Sequence, residues 1–160
     1  MTAREWAELA AALIGTLGFG ILFNLRGKRL ITAAVGGFLS WLLLLLLHRA
    51  IPSEPLGYFL VSFAISIGAE IAARLHKTPK TAFLTTCLIP LIPGGSLYYT
   101  MSAALEQDGI HFATRALDTL KLAAALALGI IVATMLTDIL LQMLAWGKGR
   151  KKENGGNGRA

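Results

Sequence analysis

The chain has 160 residues, 55% of them hydrophobic, with a mean hydropathy of +0.63 and a formal net charge of +6. Five long apolar runs in so short a chain exclude a soluble domain and imply an all-α, polytopic integral membrane protein. The single cysteine, Cys87, lies in an apolar run, which excludes a disulfide framework and a cysteine metal site. Basic residues cluster in short loops and the tail, a pattern that sets topology and does not suggest a nucleic-acid partner. No signal peptide is expected, because the first apolar run leads into Arg26-Gly27-Lys28-Arg29 without a convincing cleavage site.

The first predicted span runs roughly from Trp6 to Leu25, with Glu8 in its first turn. Thr16, Gly20 and Asn24 recur every four residues and form a ridge that lets another helix approach closely. The second span, about Leu30 to Leu47, holds no charge; Thr32, Gly36 and Ser40 form its small ridge. Pro52 and Pro55 mark the next loop as non-helical.

The third span runs from about Leu56 to Ala73. Ser62, Ser66 and Glu70 make one polar stripe, followed by Arg74. Glu70 has two readings: a carboxylate facing a water-filled path, or an i,i+4 pair with Arg74 at the interface. Arg74, His76, Lys77 and Lys80 form a basic loop, and Pro79 suits the entry to the fourth span.

The fourth span is expected to be broken. Pro90 and Pro93 lack N–H groups, and a proline in a helix interior costs about 3 kcal/mol. Gly94 and Gly95 can take dihedrals closed to other residues. A helix entering at Thr81 is predicted to stop near Ile89, and a second to restart near Ser96 with its hydroxyl as cap. Freed backbone groups at membrane depth belong in protein or along a cavity, and discontinuous helices form midplane sites in secondary transporters. Pro90, Pro93, Gly94, Gly95, Ser96 and Tyr98 are therefore the candidate substrate-binding residues. The competing reading is a proline kink that only shapes packing. Tyr98 and Tyr99 either line the site or belong to the aromatic belt.

The run Pro90-Leu91-Ile92-Pro93-Gly94-Gly95-Ser96-Leu97-Tyr98-Tyr99-Thr100-Met101 resembles the signature of the threonine/serine exporter family. It is similar to the smaller subunit of the split, two-gene form, which matches the C-terminal half of the single-chain exporters. The likeness extends through Ala69 to Pro79 and Leu17 to Asn24, covering most of the first 105 residues; the last third matches only in hydropathy. The resemblance implies a subunit of a secondary transporter in the bacterial cytoplasmic (inner) membrane. It implies export of threonine and serine, or of a dicarboxylate such as succinate, together with a larger membrane subunit. A non-transporting scaffold or assembly subunit is the alternative. Membrane lipids and a second copy of the chain are further partners to consider.

Glu106 to Lys121 is amphipathic and mixed in charge, and reads as an extramembrane connection lying on the surface. The fifth span runs from about Leu122 to Trp146, with Thr134, Asp138 and Gln142 every four residues. Asp138 is the most deeply placed charge by this count, and no cationic residue lies within one turn of it. Asp138 and Glu70 are the candidate proton-coupling residues; a structural hydrogen bond to a neighbouring helix is the other reading of Asp138. Residues 1–146 thus form a five-span domain, and 147–160 a disordered basic cytoplasmic tail. The alternation of basic segments puts the N-terminus outside, the C-terminus inside and the break near the midplane. The spans hold no Ser/His or His/Glu metal constellation, so neither enzyme activity nor a cofactor is expected.

Overall fold

The computed structural model describes the backbone of residues 2–106 and 109–156, with side chains through Met143. Among the described residues the chain is helical without strands: α1 (Ala3–Leu22), α2 (Lys28–Ala50), α3 (Glu54–His76), α4 (Lys80–Leu88), a 3-10 turn (Ile89–Leu91), α5 (Gly94–Leu105) and α6 (Gly109–Gly156). Four helices are long and apolar enough to cross a membrane, and the pair α4 and α5, bent by 58°, makes a fifth if taken as one span.

Helix ends follow local chemistry. α1 starts three residues before the expected Trp6, because Thr2 and Glu5 form a reciprocal capping box. It ends early because Asn24 takes a left-handed conformation at φ 58°. Asn24 is therefore an exposed turn residue and not the end of the expected ridge, while Thr16 and Gly20 are buried as that ridge requires. Gly27, also at φ 58°, starts α2 where a Cβ would be strained. Arg49 in the last turn of α2 donates to both Glu5 carboxylate oxygens at 2.6 Å and ties α2 back to the start of α1. Lys77 ends α3 at φ 50°, and the Thr78 N–H reaches back to the Ala73 carbonyl at 3.0 Å.

Small residues let the helices close. A Cβ on Gly37 of α2 would overlap the Thr16 hydroxyl of α1; one on Gly129 of α6 would overlap the Ser62 hydroxyl and Phe59 carbonyl of α3. Thr16, Ser40, Ser62, Ser66 and Thr86 are all buried polar residues. Each hydroxyl donates to a carbonyl of its own helix, as Thr16 does to Ala12 at 2.6 Å and Ser66 to Ser62 at 2.6 Å. The hydroxyl part of the α3 stripe is thus a satisfied packing surface and not an open polar path. Leu44, Val61, Ile65, Cys87, Leu88 and Leu91 form one apolar cluster; Leu25, Ala33, Ala69, Ala73 and Phe83 form another.

The segment expected to be a separate surface connection differs. Residues 109–121 are the opening turns of α6, continuous with the last apolar run. They pair with α5, where Thr100 and Thr119 hydroxyls meet at 3.0 Å. The α6 helix continues to Gly156, into the stretch read as an unfolded tail; residues 157–160 lie outside the described residues. Leu122 neighbours Glu54 and Tyr58, Gly129 lies against Ser62, and Asp138 lies beside Lys80, which also approaches Glu70. The α6 helix therefore runs in the same direction as α3.

If close approach at Gly129 holds α3 to α6, Gly129→Ala will destabilise the protein by roughly 1–3 kcal/mol despite alanine's better helix propensity. Gly68→Ala, where a Cβ meets nothing within 4 Å, will not. Thermal unfolding in detergent compares them, and equal midpoints for the two variants would refute this packing.

Candidate functional site

The break is real, and its local chemistry is simple. Pro90 and Pro93 donate nothing, so α4 ends at Leu88 and the chain tightens into a 3-10 turn closed by Ile92 N–H to the Ile89 carbonyl at 3.2 Å. The Gly94 N–H then bonds the Ile92 carbonyl at 2.6 Å, and α5 begins. Two sequence expectations are corrected here. The cap position is Pro93, and Ser96 lies inside the first turn of α5 without capping it. Neither Gly94 nor Gly95 has a positive φ, and a Cβ on either would meet nothing within 4 Å. They are needed for neither strained dihedrals nor close packing.

Pro90 borders a recess with Glu8, Ala11, Ala12 and Trp41. Ser96 opens on a cleft of about 460 Å3 walled by Pro52, Ser53, Glu54 and Pro55, by Tyr99, and by Arg115, Asp118, Lys121 and Leu122 of α6. Its charges are partly paired. Lys121 bonds Asp118 at 2.9 Å, and His48 bonds Glu54 at 3.2 Å. The Arg115 guanidinium lies 5.3 Å over the Tyr99 ring and has no ion pair among the described residues. A smaller recess of about 220 Å3 adjoins through Ser96, Glu54 and Leu122, and includes Trp41. The Trp41 Nε1–H is buried without an acceptor among the described residues.

Of the predicted substrate residues, the structure brings only Ser96 to this cleft. Pro93, Gly94 and Gly95 form the turn leading to it; Pro90 faces the other recess; Tyr98 is exposed and packs edge-on to Tyr99 at 5.5 Å. Glu54, Arg115, Asp118 and Lys121 were not singled out from sequence. The signal for Arg115, Asp118 and Lys121 was the mixed charge directly after the broken helix, which also fits an ordinary solvated face.

The predicted proton carriers meet at the other end. Glu70 accepts from Arg74 at 2.9 and 3.0 Å, as the i,i+4 reading expects. Lys80 lies 3.2 Å from one Asp138 oxygen and 3.8 Å from Glu70. Asp138 has a cationic partner, supplied from α4 and invisible along its own helix. Its side chain is 54% exposed within the chain, against 11% for Glu70.

Apolar helices of spanning length, one bent pair, and charges gathered at two ends of an apolar bundle define an α-helical membrane protein. The chain belongs to the threonine/serine exporter family, since the family model described as Threonine/Serine exporter, ThrE, matches residues 8–136. It is thus a member of a transporter family, and the match reaches into the last third, where the sequence resemblance was one of hydropathy only. Comparison with curated proteins and with solved structures found no match.

The cleft makes a direct accessibility prediction. The buried Cys87 of the native chain will resist a membrane-impermeant thiol reagent, whereas Ser96→Cys will label at least several-fold faster in intact vesicles of suitable orientation. Equal, slow labelling of the native and substituted chains would show that the cleft is closed to water.

Proposed function

We propose that this chain is the smaller subunit of a two-subunit exporter that moves threonine or serine out of the bacterial cytoplasm. The observation that carries this reading is a polar cleft of about 460 Å3 beside the break of a transporter-family bundle. Its chemistry suits a zwitterion. A guanidinium fork matches a carboxylate in two hydrogen bonds, and Arg115 carries no competing ion pair among the described residues. Glu54 offers a carboxylate for the ammonium group. The N–H groups of Gly95 and Ser96 stand in the first turn of α5, where a helix leaves donors without intrahelical partners. We assign Pro90, Pro93, Gly94, Gly95, Ser96 and Tyr98 to the substrate path around that turn, and Asp138 and Glu70 to coupling.

In this reading the bent pair is one crossing, giving five spans with the N-terminus outside and the C-terminus in the cytoplasm. The parallel course of α3 and α6 supports that count. Two crossings in the same direction need one return between them, which only α4 and α5 can provide. The basic segments around Arg26 to Arg29, Arg74 to Lys80 and Lys148 to Lys152 then all face the cytoplasm. The partner is a larger membrane subunit. The outward apolar side chains of α6, among them Ile131, Met135, Ile139 and Met143, offer it or lipid a surface.

Efflux of preloaded threonine, serine and succinate from cells carrying this chain, the partner, or both provides the test. Export of the hydroxy amino acids should require both chains. Arg115→Gln should raise the half-saturating threonine concentration about tenfold or more, the scale of one lost charged contact. Robust export by the purified chain alone in liposomes would overturn the two-subunit reading. Normal assembly without any efflux of the three compounds would favour a scaffold.

A further inference from the structure

Two cavities share one arginine. The cleft of about 460 Å3 beside Ser96 has Tyr99 and Arg115 in its wall. So does a recess of about 270 Å3 at the end of α5, lined further by Ser102, Ala103, Glu106 and His111. Each cavity therefore holds a hydroxyl from α5, a carboxylate and the same guanidinium: Ser96 and Glu54 in one, Ser102 and Glu106 in the other. Neighbours orient both carboxylates. Glu54 pairs with His48 at 3.2 Å, and Glu106 accepts from the Ser102 hydroxyl at 3.1 Å. The remaining charges of the cleft, Asp118 and Lys121, bond each other at 2.9 Å. Arg115 lies over the Tyr99 ring, 5.3 Å from its centroid, a contact that holds the charge without setting a carboxylate against it. The five N–H donors of its flat fork provide an edge for an acceptor on either side.

We propose that the recess at the end of α5 is a second station for a zwitterionic amino acid, and that Arg115 passes the substrate to it from the cleft. In the cleft the substrate carboxylate takes Arg115 and its ammonium takes Glu54. In the recess the carboxylate stays on Arg115, while the ammonium exchanges Glu54 for Glu106. Both positions pair both charges of the substrate. Two modest sites in series also let a substrate leave, which one tight site does not. In the five-span reading the connection from α5 to α6 faces outward, so the recess with Glu106 is the station nearer release. A shared arginine makes the stations mutually exclusive: one threonine fills one of them at a time. This inference rests on the exporter reading and deepens it by adding a site of release.

The test uses the chain assembled with its partner in proteoliposomes. Ser96→Cys reports the cleft and Ser102→Cys the recess, each in a Cys87→Ala background, by their labelling rates with and without saturating threonine; threonine export is measured separately without the cysteine substitutions. Threonine should slow labelling at both positions but only in part, about twofold at each if the stations fill equally. Glu106→Gln should lose the protection at Ser102→Cys and deepen that at Ser96→Cys, Glu54→Gln should do the reverse, and Arg115→Gln should lose both. Glu106→Gln should also cut maximal threonine export about tenfold, the scale of one charged contact, with the half-saturating concentration nearly unchanged. Protection of Ser96→Cys without any at Ser102→Cys overturns the second station. Full protection at both positions means two independent sites and overturns the shared arginine. Should Ser102→Cys not assemble, Glu106→Gln decides: deeper protection at Ser96→Cys with reduced maximal export supports the proposal, and native values overturn it. Failure of the exporter reading looks different and takes this inference with it, since threonine would then protect neither position and its efflux would be absent.

Discussion

Two missing N–H groups, at Pro90 and Pro93, govern the arrangement of the rest. An α-helix in apolar surroundings closes its own hydrogen bonds and has little reason to stop. Here it cannot close them, so the chain takes a 3-10 turn and leaves at 58°. Because α5 departs at that angle, it meets the first turns of α6 instead of continuing along α3. The α6 helix then returns beside α3 in the same direction. That return places Arg115 and Lys121 around Ser96 at one end and Asp138 beside Lys80 at the other.

Packing makes the return possible. A helix pair separated by bulky side chains could not bring Gly129 onto the Phe59–Ser62 turn, and the same holds for Gly37 on Thr16. Apolar surroundings supply no strong drive for helices to associate, so close backbone approach and van der Waals contact must do so. The buried hydroxyls fit this scheme because they bond within their own helices and leave nothing unsatisfied at the seam.

Charge is then sorted by end. The α2–α3 loop end carries an open, mixed-charge cleft, and the opposite end carries a compact group of two acids and two bases. Partners in the compact group come from three helices, so its geometry reports how α3, α4 and α6 sit together. The cleft is less self-satisfied: Arg115 rests on an aromatic face, and the Trp41 N–H in the adjoining recess is buried without an acceptor among the described residues. Free donors near a helix start are the kind of surroundings in which a small carboxylate binds.

The sequence by itself determined the apolar, helical character of the chain and the place of the break, and it offered the Glu70–Arg74 pair as one of two readings. Those are local matters of hydropathy, missing N–H groups and i,i+4 spacing, and they act within a few residues. It misled where local possibility was taken for use: Ser96 as a cap, Gly94 and Gly95 as conformational necessities, Asn24 as part of a helix face. At Gly94, Gly95 and Ser96 the preceding Pro93 had already set the helix start, and at Asn24 its own left-handed conformation ended the helix. Only the tertiary structure decided that Asp138 is half exposed and paired with a lysine 58 positions away, and that charges beyond the break wall a cleft with Ser96. The reason is physical: which residues meet across helices depends on the bend at Pro93 and on the parallel return of α6, and neither direction is encoded in the periodicity of any one helix.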